Sequence, residues 1–338
     1  FKQKTAYEIM PSLVGSEMCI RDRYSKYTFD YPYPVAISVE ANNGMEYPMI
    51  CFNYGRPEKD GTYSERIKYG MISVIIHEVG HFYFPMIVNS DERQWTWMDE
   101  GLNSYLQFLA EQEWDREYPS RRGPPKNIVN YMKGNKNNLA PIMTNSESIY
   151  QFGNNAYGKP ATALNILRET IVGRELFDFS FKEYSKTWMF KHPTPSDLFR
   201  ILENTSAVDL DWFWRGWFYG TDPVDLSIDK VTWFTLDTKN PEIEFALKKQ
   251  NKDKEPIQTW QESNKIDIQE TVVETDELAN DFYNKFDPYE VTILDKEEFN
   301  RYRDSSVVEP REKEIYNSNL NYYEINTCCC SNYQKRWI

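Results

Sequence analysis

Residues His77-Glu78-Val79-Gly80-His81 set two imidazoles four positions apart with a carboxylate directly after the first. On a helix, residues four apart share one face about one turn apart. Both side chains can then reach a single ion at the roughly 2 Å zinc–nitrogen distance. Glu78, beside the first ligand, is placed to work on water rather than to bind the metal. The bland alternative is a pair of buried helical histidines. The chain has only three histidines, and two of them stand here. Ionisable groups in so apolar a helix are costly to bury without a partner, and a metal removes that cost. A third protein ligand is needed, with the fourth position left for water. Glu100, 19 residues after His81 in Trp97-Met98-Asp99-Glu100-Gly101, stands at the start of the next helix and supplies it. His192, in Lys191-His192-Pro193-Thr194, lies far off and reads as a loop or cap residue.

The elements that must hold these groups are legible in the hydrophobic pattern. Val35, Ile37 and Val39 alternate as a strand, and after the Asn43-Gly44 turn Met45 to Tyr54 reads as a second strand antiparallel to it. Met71 to Phe84 is an apolar helix, and Asp99 to Glu111 a second, with Leu102, Tyr105, Leu106 and Leu109 on one stripe. A polar loop follows from Arg121 to Asn138. From Lys159 the chain is helical: Leu164, Leu167 and Ile171 form one stripe, which Gly173 can end, and Phe177, Phe181, Tyr184 and Trp188 form the next. Thr194-Pro195-Ser196-Asp197 is a helix start, and Trp212, Trp214 and Trp217 in the segment Leu210 to Tyr219 read as core. The pattern changes near Thr221-Asp222-Pro223. Val231 to Leu236 and Glu242 to Leu247 look like strands, 248–281 is charged and poorly patterned, and the domain boundary is set near residue 228.

A chain of 338 residues with 40% hydrophobic and 16% aromatic residues has material for a sizeable core in about two domains. Its formal net charge of −13 argues against a nucleic-acid partner. No apolar run reaches the roughly 20 residues of a membrane span. The sequence begins at Phe1 rather than Met, so the natural N-terminus is expected to be missing, and an export signal could have gone with it; localisation stays open. Cys19 and Cys51 stand apart, Cys328 to Cys330 are adjacent, and no C-x-x-C pair supports a thiolate metal site. Residues 11–23 resemble a translated sequencing adapter, and 327–338 read like a frameshifted tail, so both are set aside in the fold reading.

H-E-x-x-H, then 18 residues, then Glu resembles the gluzincin pattern of the alanyl (membrane) aminopeptidase and leukotriene hydrolase family. Asn43-Gly44-Met45-Glu46-Tyr47 is similar to that family's G-A-M-E-N exopeptidase strand, and Tyr157-Gly158-Lys159-Pro160 to its Y-x-K segment. The resemblance implies an α+β fold: a thermolysin-like catalytic domain over 1–228, with a short antiparallel sheet and a helical bundle, then a partial β-rich domain over 229–326. The family's large N-terminal β domain is expected to lie outside this sequence. One zinc ion would sit on His77, His81 and Glu100, with Glu78 as catalytic base and Tyr157 donating to the oxyanion. Gly44 and Met45 would pair with an extended peptide by strand addition, Gly44 leaving room for its backbone. Glu46 would meet the free N-terminal ammonium of a peptide substrate, giving an aminopeptidase. Three departures stand out: Asn43-Gly44 for Gly-Ala, Tyr47 for Asn, and Gln107 where the family often has a Glu behind a ligand histidine, which implies a weaker hold on that histidine. Two rivals stay open. A zinc endopeptidase has no need of Glu46, and a non-catalytic peptidase-like binding module has no need of Glu78.

Overall fold

The computed structural model describes residues 20–222, 230–234, 237–305 and 322–326. The chain falls into two compact units, one made of 1–223 and 258–285, the other of 224–257 and 286–338. The division falls a few residues before the boundary set at 228, and 258–285 return to the first unit rather than joining a C-terminal region.

The first unit is α+β. Helix α1 (20–27) buries Ile20 and Tyr24, and its Arg23 pairs with Glu113 at 3.2 Å. Residues 20–23, set aside in the sequence reading, therefore pack as part of the fold; 11–19 and 327–338 lie outside the described residues. Strands β1 (Ile37–Glu40), β2 (Met45–Tyr47) and β3 (Ile50–Asn53) form a sheet in the order β1-β3-β2. The segment Met45 to Tyr54 is thus a hairpin, not one strand. Pro48 and Met49 turn it, and Met49 takes the positive φ of 65° that such a tight turn demands. β2 runs antiparallel to β3, whereas β1 runs parallel to it, so the sheet is mixed rather than antiparallel.

Helix α2 (Glu65–Gly80) starts at Ser64, whose hydroxyl accepts from the Ile67 amide, a cap worth about 1 kcal/mol. It buries Ile72, Ile75, Ile76 and Val79 against α3 (Leu102–Trp114). A π-helical turn, Trp97–Gly101, leads into α3. Short turns and α4 (Val129–Met132) occupy the loop after residue 121. A second π-helical turn, Gly153–Gly158, runs into α5 (Lys159–Ile166), which packs on α3. α6 (Arg174–Thr187) follows Gly173, and α7 (Pro195–Ser206) starts on the expected Thr194/Asp197 capping box. In α8 (Asp211–Trp214) Trp214 is buried, but Trp212 is 61% exposed, so the three tryptophans do not all belong to the core.

The segment 258–285 closes on the first unit through long-range polar contacts. Lys68 Nζ lies 2.7 Å from Asp281, both buried, and Tyr63 donates to the same carboxylate at 2.9 Å. In the second unit β4 (Lys230–Phe234) pairs antiparallel with β5 (Tyr322–Asn326). Glu242 to Leu247, read as a strand, lies within helix α9 (Pro241–Asp253), started by an Asn240 side chain that accepts from Glu242 N–H. The described residues of 229–326 are mostly helical, against the β-rich expectation. No helix among the described residues is long and apolar enough to cross a membrane.

Candidate active site

His77 lies in the last turn of α2 and His81 directly after it, so both imidazoles leave the helix on one side. The π-helical turn brings Glu100 back to meet them. His77 Nε2 and His81 Nε2 are 3.0 Å apart. Glu100 Oε2 lies 2.9 Å from the first and 3.4 Å from the second. Donor atoms held by one tetrahedral ion at about 2 Å stand roughly 3.3 Å from one another, so the spacing suits such an ion.

The opposite ring nitrogens each meet an acceptor, so in a neutral imidazole Nδ1 is the atom that carries the hydrogen. Gln107 Nε2 donates to Glu111 Oε1 at 2.7 Å, which turns Gln107 Oε1 toward His77 Nδ1 at 2.9 Å. His77 Nδ1 is then the donor. The Phe84 carbonyl accepts from His81 Nδ1 at 2.8 Å. Asp99 Oδ1 is 2.9 Å from the same nitrogen, so two oxygens flank it. With both Nδ1 positions donating, neutral imidazoles would turn two lone pairs and a carboxylate oxygen toward one another. Three acceptors at that distance are a site for a cation. Gln107 thus hydrogen-bonds His77 without placing a charge behind it.

Burial raises the Glu100 carboxyl, but the two imidazoles, which hydrogen-bond to it whenever Nε2 carries a proton, overcome it and hold it well below the usual range. Burial lowers His77, and the neighbouring His81 lowers it further. Burial works to lower His81 too, yet Asp99 and Glu100 against the ring raise it. Glu78 is pushed up to about 8 by burial, opposed by His81 and reinforced by Glu46, Glu100 and Asp99. Its Oε2 is buried with no hydrogen-bond partner among the described residues. A cation on the three donors would lower it again.

Glu78, Gly44, Met45 and Glu46 line one cleft of about 470 Å³ with the three donors and Tyr157. Gly44 stands against Glu78: a Cβ there would fall 2.3 Å from Glu78 Oε1. The missing side chain makes room for this carboxylate, a use of Gly44 the sequence did not suggest. Met45 and Glu46 belong to β2, an edge strand of the sheet. Glu46 can bring an oxygen within 4.8 Å of donor atoms of Glu78 and His81, and burial raises its carboxyl. Tyr157 donates to Glu100 Oε1 at 2.5 Å, and its ring stacks on His77. Burial first, then Glu100, keeps the phenol protonated far above neutral pH. His192 contacts the Asn89 carbonyl, away from the site. Two neighbours escaped the sequence reading: Asp99, hidden beside Glu100, and Arg122, whose guanidinium lies 3.9 Å over the Tyr157 ring. Arg122 sits in what read as a polar loop, and only the Arg121-Arg122 pair ahead of Gly123-Pro124-Pro125 marks it.

A family model described as the peptidase family M1 domain matches residues 16–217. The chain is 24% identical over 230 residues to the probable aminopeptidase 1 of Sulfurisphaera tokodaii, covering 63% of this chain and 29% of that one. It is 27% identical over 238 residues to the endoplasmic reticulum aminopeptidase 2 of Homo sapiens, covering 66% of this chain and 24% of that one. The structure of native yeast LTA4 hydrolase aligns with a TM-score of 0.48 at 20% identity, over 75% of this chain and 42% of that one. The chain therefore spans under a third of the length of the two aminopeptidases. The family match covers more than half of the sequence and includes His77, Glu78, His81, Glu100 and Tyr157, and the chain belongs to peptidase family M1.

Proposed function

We propose that this chain is a zinc-dependent aminopeptidase, its first unit a thermolysin-like catalytic domain that releases N-terminal residues from peptides. The reading rests above all on one observation: two imidazole nitrogens and a carboxylate oxygen converge at 2.9–3.4 Å beside a carboxylate with a free oxygen. His77, His81 and Glu100 would hold one zinc ion. Bound there, zinc supplies Lewis acidity, polarising the scissile carbonyl and acidifying water.

The chain's own groups carry the protons. Glu78 takes one from the attacking water and delivers it to the leaving amine, a role typically worth about 10²–10⁴-fold. Tyr157 retains its proton and donates a hydrogen bond to the developing oxyanion. Glu46 receives the substrate's ammonium, and the edge of β2 offers main-chain groups to an extended peptide. A blocked N-terminus would leave the Glu46 carboxylate without its partner, which is how such a site refuses the wrong substrate.

The test combines zinc analysis of the purified chain with hydrolysis of one peptide bearing either a free or an acetylated N-terminus. About one zinc per chain and cleavage of the free peptide alone are expected. Glu78→Gln should keep the zinc and lose at least about a hundredfold in turnover. Equal rates on both peptides would reject the aminopeptidase reading in favour of an endopeptidase.

A further inference from the structure

Charge is distributed unevenly along the cleft. On the His81 side stand Glu46, Glu78 and Asp99. On the His77 side, beyond Tyr157, stands Arg122, half-buried, with Arg121 exposed beside it. Among the described residues no carboxylate comes within ion-pair distance of either arginine. Arg122 donates from Nη1 to Ser104 Oγ at 3.2 Å and lies over the Tyr157 ring. The two nearest carboxylates are already engaged. Glu100 takes both imidazoles and Tyr157, while Glu111 accepts from Ser73, Gln107 and Ser120. A guanidinium offers five donors, so most of those on Arg122 have no acceptor here.

The loop is built to hold it. Gly123 takes φ +98°, and a Cβ there would fall 2.4 Å from the Phe108 ring, so only glycine turns the chain this tightly. Asn165 donates to the Gly123 carbonyl at 3.2 Å, and Asn127 donates to the Ser120 and Arg121 carbonyls at 2.9 and 3.2 Å. Both arginines also line an adjoining cavity of about 500 Å³, so the cleft continues past them.

We propose that Arg122 is a specificity residue that binds a carboxylate on the leaving-group side of the scissile bond. The proposal rests on the aminopeptidase reading, in which Glu46 fixes the ammonium on the His81 side and the rest of the peptide runs toward His77. The carboxylate belongs either to the C-terminus of a short peptide or to an acidic side chain. A planar guanidinium with free donors suits both, because it pairs with a carboxylate through two parallel hydrogen bonds. The favoured substrate carries opposite charges at its two ends, matching the acid and the cation at the two ends of the cleft.

Binding rather than turnover tests this. The full zinc-loaded chain carrying Glu78→Gln is titrated by calorimetry with Ala-Ala and its C-terminal amide, and with Ala-Asp-amide and Ala-Asn-amide. The acid of at least one pair should bind about tenfold or more tighter than its neutral partner, as a charge-assisted hydrogen bond provides. The first pair reports a terminal carboxylate, the second a side chain. Adding Arg122→Gln should abolish the preference and leave the neutral peptides within about twofold. Equal affinity of acid and neutral forms in both pairs overturns the proposal, and that comparison needs no change at Arg122. So does a preference that survives Arg122→Gln, or a loss shared equally by acid and amide, which would make Arg122 a mere support for Tyr157. Peptide hydrolysis by the unmodified chain is measured separately, so absent turnover with an intact preference would reject the aminopeptidase reading alone.

Discussion

Replacing Gly44 with Ala separates the chemistry from the fold. Gly44 does not occupy the left-handed region, so alanine meets no backbone strain there. Substitution at such a position restricts the unfolded chain and stabilises by about 0.4–1 kcal/mol. The new methyl group would lie 2.3 Å from Glu78 Oε1 and 3.0 Å from its Cδ, with Val74 at an ordinary 3.5 Å. Only the end of a flexible side chain stands in the way, so the carboxylate yields and the strand stays. Restoring ordinary contact requires Glu78 to retreat by about 1 Å, and a misplacement of that size in a reacting group costs about a hundredfold, or roughly 2.7 kcal/mol of barrier. His77, His81 and Glu100 are untouched. The expected result is kcat down about a hundredfold, with zinc content unchanged and Tm equal or slightly higher. Steady-state kinetics on an aminoacyl chromogenic substrate, metal analysis and a thermal melt read the three quantities. If kcat survives within about threefold while KM rises by more, Gly44 clears space for the peptide and not for Glu78, and the reasoning is wrong.

Other substitutions probe the surrounding groups. Tyr157→Phe should lower kcat by about 10²–10³-fold with little change in KM, as loss of one oxyanion donor does. If zinc is lost instead, the hydroxyl acts by holding Glu100, which it contacts at 2.5 Å. Gln107→Glu should weaken zinc binding rather than strengthen it, because the new carboxylate would face Glu111, whose oxygen now takes a hydrogen from Gln107 at 2.7 Å. Adding Glu111→Gln should restore the affinity, and competition with a chelator measures both. Burial lowers Lys159 to about 8, below its unfolded value, so the folded chain binds fewer protons between there and the ordinary lysine range. Stability attributable to this group therefore rises with pH across that window. Denaturant melts at pH 7 and pH 9.5 should show a rise in the parent relative to Lys159→Met, and parallel changes in the two would count against it.

Which residues would meet in the cleft was easier to read than the frame around them. His77, Glu78 and His81 declare themselves because helical spacing fixes which side chains meet, and the helix that carries them exists. Glu100 and Tyr157 were expected beside the histidines from spacing and resemblance, and they lie there, but each sits on a π-helical turn, which no hydrophobic period announces. The hairpin was missed because Tyr47 to Phe52 reads as one nearly unbroken apolar run, and the Pro48-Met49 turn inside it leaves only a proline as signal. Glu242 to Leu247 alternates like a strand, yet Asn240-Pro241 ahead of it is a helix start, and the cap prevailed. Lys68 and Asp281 are 213 residues apart, and nothing local tells either that the other will neutralise it in the interior.

A neutral side chain at Gln107 makes sense once the charges around it are added up. Glu46, Glu78, Asp99 and Glu100 crowd around two imidazoles, and burial and mutual repulsion raise the first three. A dication on the three donors would offset that excess, but a further carboxylate directly behind His77 would enlarge it. The chain instead places a neutral amide at that position and an acid one helical turn further on, at Glu111. There Ser73, Ser120 and Gln107 donate three hydrogen bonds to it. The amide relays orientation, fixing the His77 tautomer through its own oxygen, while the charge sits where donors already await it. The acid absent behind His77 has a counterpart four residues further on, at Glu111, and Gln107 joins the two by hydrogen bonds to both.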